Sequence, residues 1–165
     1  MIFLTVGTQF PFDRLVKAVD QALGNGQLNG EICAQIGDSS YRPLNFQAVS
    51  SMEKHLFDER MHEASAIISH AGMGTISMAL EKDKPLLVMP RLKKYGEVVN
   101  DHQVAIARKF EELGHLLVAY EPEELPEKIK RLKTFELVKR TAAPEAVADR
   151  IAGFLHELAN ESGRR

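Results

Sequence analysis

Cysteine is almost missing from this chain: Cys33 is the only one in 165 residues. A lone cysteine can form no internal disulfide and no cysteine-based zinc site, and it agrees with a reducing cytoplasm. Cys33 falls in the middle of a strand pattern and reads as a small buried apolar residue. Tryptophan is absent as well, which by itself excludes nothing. No apolar run approaches the roughly 20 residues of a membrane-spanning helix. The start, Met1-Ile2-Phe3-Leu4-Thr5-Val6, has neither a basic flank nor a cleavage site and reads as a strand, so a cytoplasmic location is expected. An excess of charge is missing too. The 21 basic and 23 acidic residues leave a formal net charge of −2, with no electrostatic footprint for nucleic acid.

Several catalytic and cofactor patterns are also absent. Gly7 is followed by no Gly-x-x-Gly, so there is no dinucleotide fingerprint, and there is no Walker sequence. No Gly-x-Ser-x-Gly elbow and no paired-carboxylate constellation is seen. His55, His62, His115 and His156 read as surface or partly packed residues, because no metal-ligand spacing links them. No metal site is expected. Internal repeats and low-complexity segments are absent.

What is present is ordinary globular material in a regular order. Hydrophobic residues make up 44% and charged residues 27%. A chain of this size buries roughly two-thirds of its unfolded surface in one domain, expected over residues 1–160 with a disordered tail at 161–165. Apolar runs at 2–6, 31–36, 44–48, 66–69, 86–89 and 115–119 predict strands. Between them, helical patterns run over 12–23, 52–64, 76–84, 100–113, 122–132 and 144–160. Leu15, Val16, Val19 and Leu23 share one face of the first. Ser50 or Ser51 could cap the second, Pro85 stops the third, and Gly114 suits the C-terminal end of the fourth. This alternation predicts an α/β fold: a Rossmann-like, open, mainly parallel sheet with helices on both faces.

The most informative stretch is Ser69-His70-Ala71-Gly72-Met73-Gly74-Thr75, at a strand-to-helix junction. Glycines there let the backbone approach an anion, and the first N–H groups of the helix favour negative charge. The bland alternative is a tight turn. Open α/β sheets bind ligands beyond the carboxyl ends of their strands. That selects Gly7-Thr8-Gln9-Phe10-Pro11, Gly37-Asp38-Ser39-Ser40, residues 70–75 and residues 90–103. Gly7 and Thr8 could lend N–H groups to the same phosphates or form a plain βα turn. Asp38, Ser39 and Ser40 read as a local Asx or Ser/Thr turn. His70 could donate to a phosphate oxygen or stabilise a leaving group; the alternative is a histidine bonded to a neighbouring carbonyl. Asp101 and His102, adjacent at a helix start, diverge too much to form an acid–base pair. Asp101 and Gln103 suit sugar hydroxyls, and Asn100 suits a cap. Arg91, Lys93 and Lys94 could face a diphosphate or an acidic partner surface, with Leu92, Tyr95, Val98 and Val99 as apolar anchors.

These motifs together resemble a known family. His70-Ala71-Gly72-Met73-Gly74-Thr75, Lys84-Pro85-Leu86-Leu87-Val88-Met89-Pro90 and Asn100-Asp101-His102-Gln103 are similar to the donor-binding half of GT-B glycosyltransferases, specifically the glycosyltransferase family 28 C-terminal domain. Val6-Gly7-Thr8-Gln9 followed by Phe12-Asp13-Arg14-Leu15 fits as well. The whole chain resembles stand-alone versions of that domain, the catalytic subunit of the dolichol-pathway UDP-GlcNAc transferase and bacterial exopolysaccharide subunits. The resemblance implies that His70, Gly72, Gly74 and Thr75 hold the diphosphate of a UDP-sugar, with His70 the candidate catalytic residue. It implies that Asp101 and Gln103 contact the sugar; Gly7, Thr8, Met73, Glu97 and Asn100 complete the candidate substrate-binding set. Many members have a ribose-binding Glu at the position of Met78, and Glu81 or Glu97 are the candidates to replace it.

The resemblance further implies metal-free, inverting transfer from a UDP-sugar to a lipid-linked acceptor in polysaccharide biosynthesis, with no other cofactor. The acceptor site and general base would come from a membrane-anchored partner subunit, holding this chain peripherally at the membrane. The competing expectations are a non-catalytic nucleotide- or phosphate-binding regulatory module and a self-sufficient small enzyme such as a phosphatase or epimerase.

Overall fold

The computed structural model describes residues 1–139 and Ala152. Apart from Ala152, the helix expected over 144–160 and the tail at 161–165 lie outside the described residues. Through residue 139 six strands and five α-helices follow one another: β1 (Ile2–Thr5), α1 (Asp13–Gly24), β2 (Ile32–Gln35), β3 (Gln47–Val49), α2 (Lys54–Glu63), β4 (Ala66–His70), α3 (Met73–Glu81), β5 (Leu86–Met89), α4 (His102–Glu112), β6 (Leu117–Val118) and α5 (Leu125–Leu132). The strands form one sheet in the order β3-β2-β1-β4-β5-β6. Every pairing is parallel. The chain winds outward from β1 to β3, then crosses back to β4 and winds the other way. The junction of β1 and β4, with Thr5 opposite Ser69, is therefore the topological switch point.

Parallel strands are covered on both faces, so they carry nearly continuous apolar runs whose alternate residues feed two cores. Leu4, Ile68 and Leu87 pack with Leu15, Val16 and Val19 of α1 and Ile129 of α5. Phe3, Ile67 and Val88 pack on the other face with Met61 of α2, Ile76 and Leu80 of α3 and Ala107 of α4. Phe3 meets Phe57 edge-to-face, 5.3 Å between ring centres. Cys33 is half-buried against the second of these cores rather than fully buried.

Element boundaries differ from the expectation where side chains capture backbone groups. The run 44–48 forms strand only from Gln47. The buried Asp20 carboxylate accepts the N–H groups of Leu44 at 3.1 Å and Asn45 at 2.8 Å, and the Tyr41 hydroxyl at 2.7 Å. Those amides cannot enter the ladder, and Leu44 stands 89% exposed. Asp38, Ser39 and Ser40 are likewise more than a local turn, because the Ser39 hydroxyl donates to Asp13 of α1 at 2.5 Å and the Ser40 N–H does so at 3.1 Å. The second helix starts at Lys54 with Glu53 at its cap position, and neither Ser50 nor Ser51 caps it. The last strand is short, because the N–H of His115 closes α4 on Phe110 O at 3.0 Å. Gly114, at φ +71°, makes the left-handed turn that permits this.

The third helix begins three residues earlier than its apolar pattern, at Met73. Gly74 and Thr75 are therefore helical, and the glycine-rich junction is mostly the first turn of α3. No helix among the described residues is long and apolar enough to cross a membrane.

Candidate functional site

The carboxyl ends of β1, β4 and β5 open onto a cleft of about 470 Å³ at the switch point. From the β1 side, Gly7 and Thr8 form one wall. Gly7 holds φ +72°, and a side chain there would press within 2.9 Å of the His70 ring. A buried polar network fixes this strand end. Thr5 donates its hydroxyl to Gln35 Oε1 at 2.7 Å, and Gln35 Nε2 reaches the Gly7 carbonyl at 3.3 Å and the Ser50 carbonyl at 3.2 Å. Thr5 and Gln35 had no functional signal in the sequence.

From β4 come His70 and the start of α3. The Ser69 hydroxyl donates to the Thr5 carbonyl at 2.7 Å. Its single proton is thereby engaged, so at 3.2 Å it accepts from His70 Nδ1–H. In the neutral ring Nε2 is then the bare nitrogen. Burial first, and the positive charge of Arg91 second, push the His70 pKa down to about 4. Gly72 accommodates this ring, since a Cβ at Gly72 would lie 2.2 Å from Nε2.

The first backbone bond of α3 runs from Ile76 N–H to Gly72 O at 3.0 Å. The N–H groups of Met73, Gly74 and Thr75 precede the ladder and are available at the positive end of the helix dipole. Gly74 needs glycine neither for its backbone angle nor for a protein neighbour, as a Cβ there would meet nothing within 4 Å. It leaves the space over the helix end open.

From β5 the chain passes through Arg91 into residues 92–101. Arg91 is buried and lines the cleft. The loop beyond it is strapped to α1 by Arg14, whose Nε and Nη2 each lie 2.9 Å from the Glu97 carboxylate and whose Nη2 also donates to Pro90 O at 2.8 Å.

Of the expected site residues, Gly7, Thr8, His70, Gly72, Met73, Gly74, Thr75, Asn100 and Gln103 all line the cleft. Asp101 and Glu97 do not. Glu97 is taken up by Arg14 and by the Leu92 N–H at 2.9 Å, and Asp101 accepts the Lys93 N–H at 2.7 Å. Gln103 is buried and accepts the Arg91 N–H at 3.1 Å. Asn100 is not the cap that was expected: Asp101 holds the N-cap position of α4 without a side-chain cap bond, and the Asn100 side chain one residue earlier accepts the His102 N–H at 3.2 Å. Met78 packs against the core, and Glu81 closes α3 away from the cleft. Neither candidate for the missing ribose contact, Glu81 or Glu97, lines the cleft. Phe10 and His102 line it in addition. A smaller hollow of about 310 Å³ at the opposite sheet edge is bounded by the C-terminal end of α5 and offers no helix N-terminus. Among the described residues no group of three or more His, Cys, Asp or Glu could hold a metal ion.

The sequence model of the glycosyltransferase family 28 C-terminal domain matches residues 1–158. Among curated relatives, the UDP-N-acetylglucosamine transferase subunit ALG13 of Homo sapiens is 32% identical over 128 residues, covering 70% of this chain and 10% of that protein. The chain thus spans about a tenth of the length of that relative. The subunit of the same name from Candida glabrata is 28% identical over 179 residues, covering 82% of this chain and 88% of that protein. The crystal structure of the glycotransferase of kitacinnamycin superposes with a TM-score of 0.60 at 20% identity, covering 96% of this chain and 39% of that one. At that identity the likeness shows the fold.

Proposed function

The chain belongs to the glycosyltransferase family 28 C-terminal domain family, and from that premise we propose that it is the donor-binding subunit of a two-component, inverting glycosyltransferase that transfers N-acetylglucosamine from its UDP derivative to a lipid-linked acceptor. One observation carries the reading. The N-terminus of α3 opens onto the switch-point cleft, with Gly74 leaving clear space above unpaired N–H groups. That is a seat for a diphosphate. The names of the curated relatives favour N-acetylglucosamine as the sugar. None of those names supports the exopolysaccharide branch of the resemblance.

In this reading the N–H groups of Met73, Gly74 and Thr75 hold the diphosphate, with Gly7 and Thr8 closing the opposite wall. As charge develops on the leaving UDP, the helix dipole and these fixed N–H groups stabilise it without needing a metal. His70 faces the same charge. Its buried ring is neutral and gains affinity for a proton when an anion arrives, so Nε2–H can then donate to a phosphate oxygen. Gln103 and Asn100 stand at the sugar end. The partner subunit, proposed to be membrane-anchored, brings the acceptor and the general base, since no carboxylate lines the cleft among the described residues. Apolar side chains on the rim, Phe10, Met73 and Val99, are exposed where such a partner would close over the donor. The peripheral location follows from that partner.

Calorimetry of the chain against UDP, UDP-N-acetylglucosamine, UDP-glucose and UDP-galactose tests the reading. Magnesium-independent binding, tightest for UDP-N-acetylglucosamine, is expected. No binding of any UDP compound, or binding strictly dependent on magnesium, would refute it.

A further inference from the structure

We infer that Arg91 is the fixed cation of this cleft and contacts the phosphate-bearing part of the ligand seated at the N-terminus of α3. The guanidinium is 3% exposed and lines the cleft. It has no bonded carboxylate among the described residues, because the nearby Glu97 is held by Arg14. Its Nη2 donates to the Val6 carbonyl at 2.7 Å and the Phe10 carbonyl at 2.5 Å, and its plane lies over the Phe12 ring, 5.1 Å from the centre. Its Nε–H is buried without any partner among the described residues. A buried donor on a buried cation is costly unless something accepts from it.

An anion in the cleft supplies that acceptor. Arg91 is held at both ends, its side chain by the two carbonyls and its own N–H by Gln103 Oε1 at 3.1 Å, so the cation is fixed in place before any anion arrives. Burial lowers its pKa only to about 10, which leaves it protonated at neutral pH. A planar fork also suits phosphate oxygens better than a point charge does. The other two cations of this loop lie outside the cleft lining, and Lys94 pairs with Glu121 at 2.9 Å on the exposed side. The proposed nucleotide reading is needed only to say which molecule carries the phosphates.

The test titrates the full chain with inorganic pyrophosphate, UDP and uridine, following amide and Arg Nε–H signals by NMR and affinities by calorimetry. In the unmodified chain the Arg91 Nε–H signal should shift on adding pyrophosphate and UDP, and should stay in place with uridine. Arg91→Gln should weaken pyrophosphate and UDP roughly ten- to hundredfold, and Arg91→Lys should recover part of that loss. An unmoved Nε–H signal, no pyrophosphate binding, or Arg91→Lys no better than Arg91→Gln would overturn the inference. If pyrophosphate binds through Arg91 while UDP binds no tighter than pyrophosphate, the anion seat stands and the nucleotide-sugar reading falls.

Discussion

His70 shows how much a residue's chemistry depends on what surrounds it. Between Gly7 and Gly72, with Nδ1 on Ser69 and Arg91 nearby, it is an uncharged imidazole whose pKa has fallen to about 4. In the unfolded chain the same group titrates at its ordinary value of 6.5. The unfolded state therefore binds more protons between these values, and His70 favours folding fully above pH 6.5 and progressively less down to about pH 4. The contribution lost is up to about 3 kcal/mol. His70→Ala should flatten the stability profile across that window, as measured by urea unfolding at a series of pH values; an unchanged slope would mean that the ring is not buried neutral. In turnover, His70→Ala is expected to lower kcat more than donor affinity if its hydrogen bond strengthens on the leaving diphosphate. Equal kinetics would leave the ring a packing group.

Gly74 makes a sharper case, because its two expected effects have opposite signs. It sits inside helix α3, where alanine is favoured over glycine by up to about 1 kcal/mol. A Cβ there meets nothing within 4 Å. Gly74→Ala should therefore leave the melting temperature level or raise it, while weakening UDP binding. Gly74→Val, with its larger branched side chain, should abolish binding while the cooperative unfolding transition survives. Normal UDP affinity in either folded variant would place the phosphate seat elsewhere.

At the scale of elements, α1 clamps three loop segments, of which only the one at residues 90–97 borders the cleft. Asp20 holds residues 41–45 and Asp13 holds residues 39–40, while Arg14 holds residues 90–97. For Asp20, burial would raise the pKa, but the hydrogen bonds from Asn45, Tyr41 and Leu44 outweigh it and leave the value below normal. Its stabilisation is present above the ordinary carboxylate range and is lost as pH falls through the depressed folded value. Asp20→Ala removes a charged acceptor shared by three part-buried hydrogen bonds and should cost about 1–3 kcal/mol. The loss should be clear in denaturant unfolding at pH 7 and much smaller under strongly acidic conditions. A cost independent of pH would show that Asp20 acts through packing alone.

At the scale of the whole molecule, the cleft lies between α3, the β1 loop and residues 98–103, and among the described residues its mouth carries exposed side chains, Val99 being 73% exposed. In the proposed two-component reading, a sugar acceptor and its base would approach from there. The purified chain is expected to bind donor yet transfer no sugar to a lipid-linked acceptor, and to do so once the acceptor-binding partner is added. Robust transfer by the chain alone, read by product chromatography, would contradict the two-component reading.

The alternation of apolar strands and amphipathic helices was enough to determine the architecture, because each parallel strand must be apolar on both faces and each helix on one. The junction at residues 69–75 was legible for a similar reason, since strand ends, glycines and helix starts are local events. Side-chain partners distant along the chain were not. Whether Glu97 faces a ligand or an arginine depends on Arg14, 83 positions away, being brought beside it. Whether Asp101 contacts a sugar or a loop amide depends on how residues 93–101 close. Arg91 looks like Lys93 and Lys94 in sequence. Only folding buries it against Phe12 and the carbonyls of Val6 and Phe10, leaving a cation at the floor of the cleft where the other two remain in water.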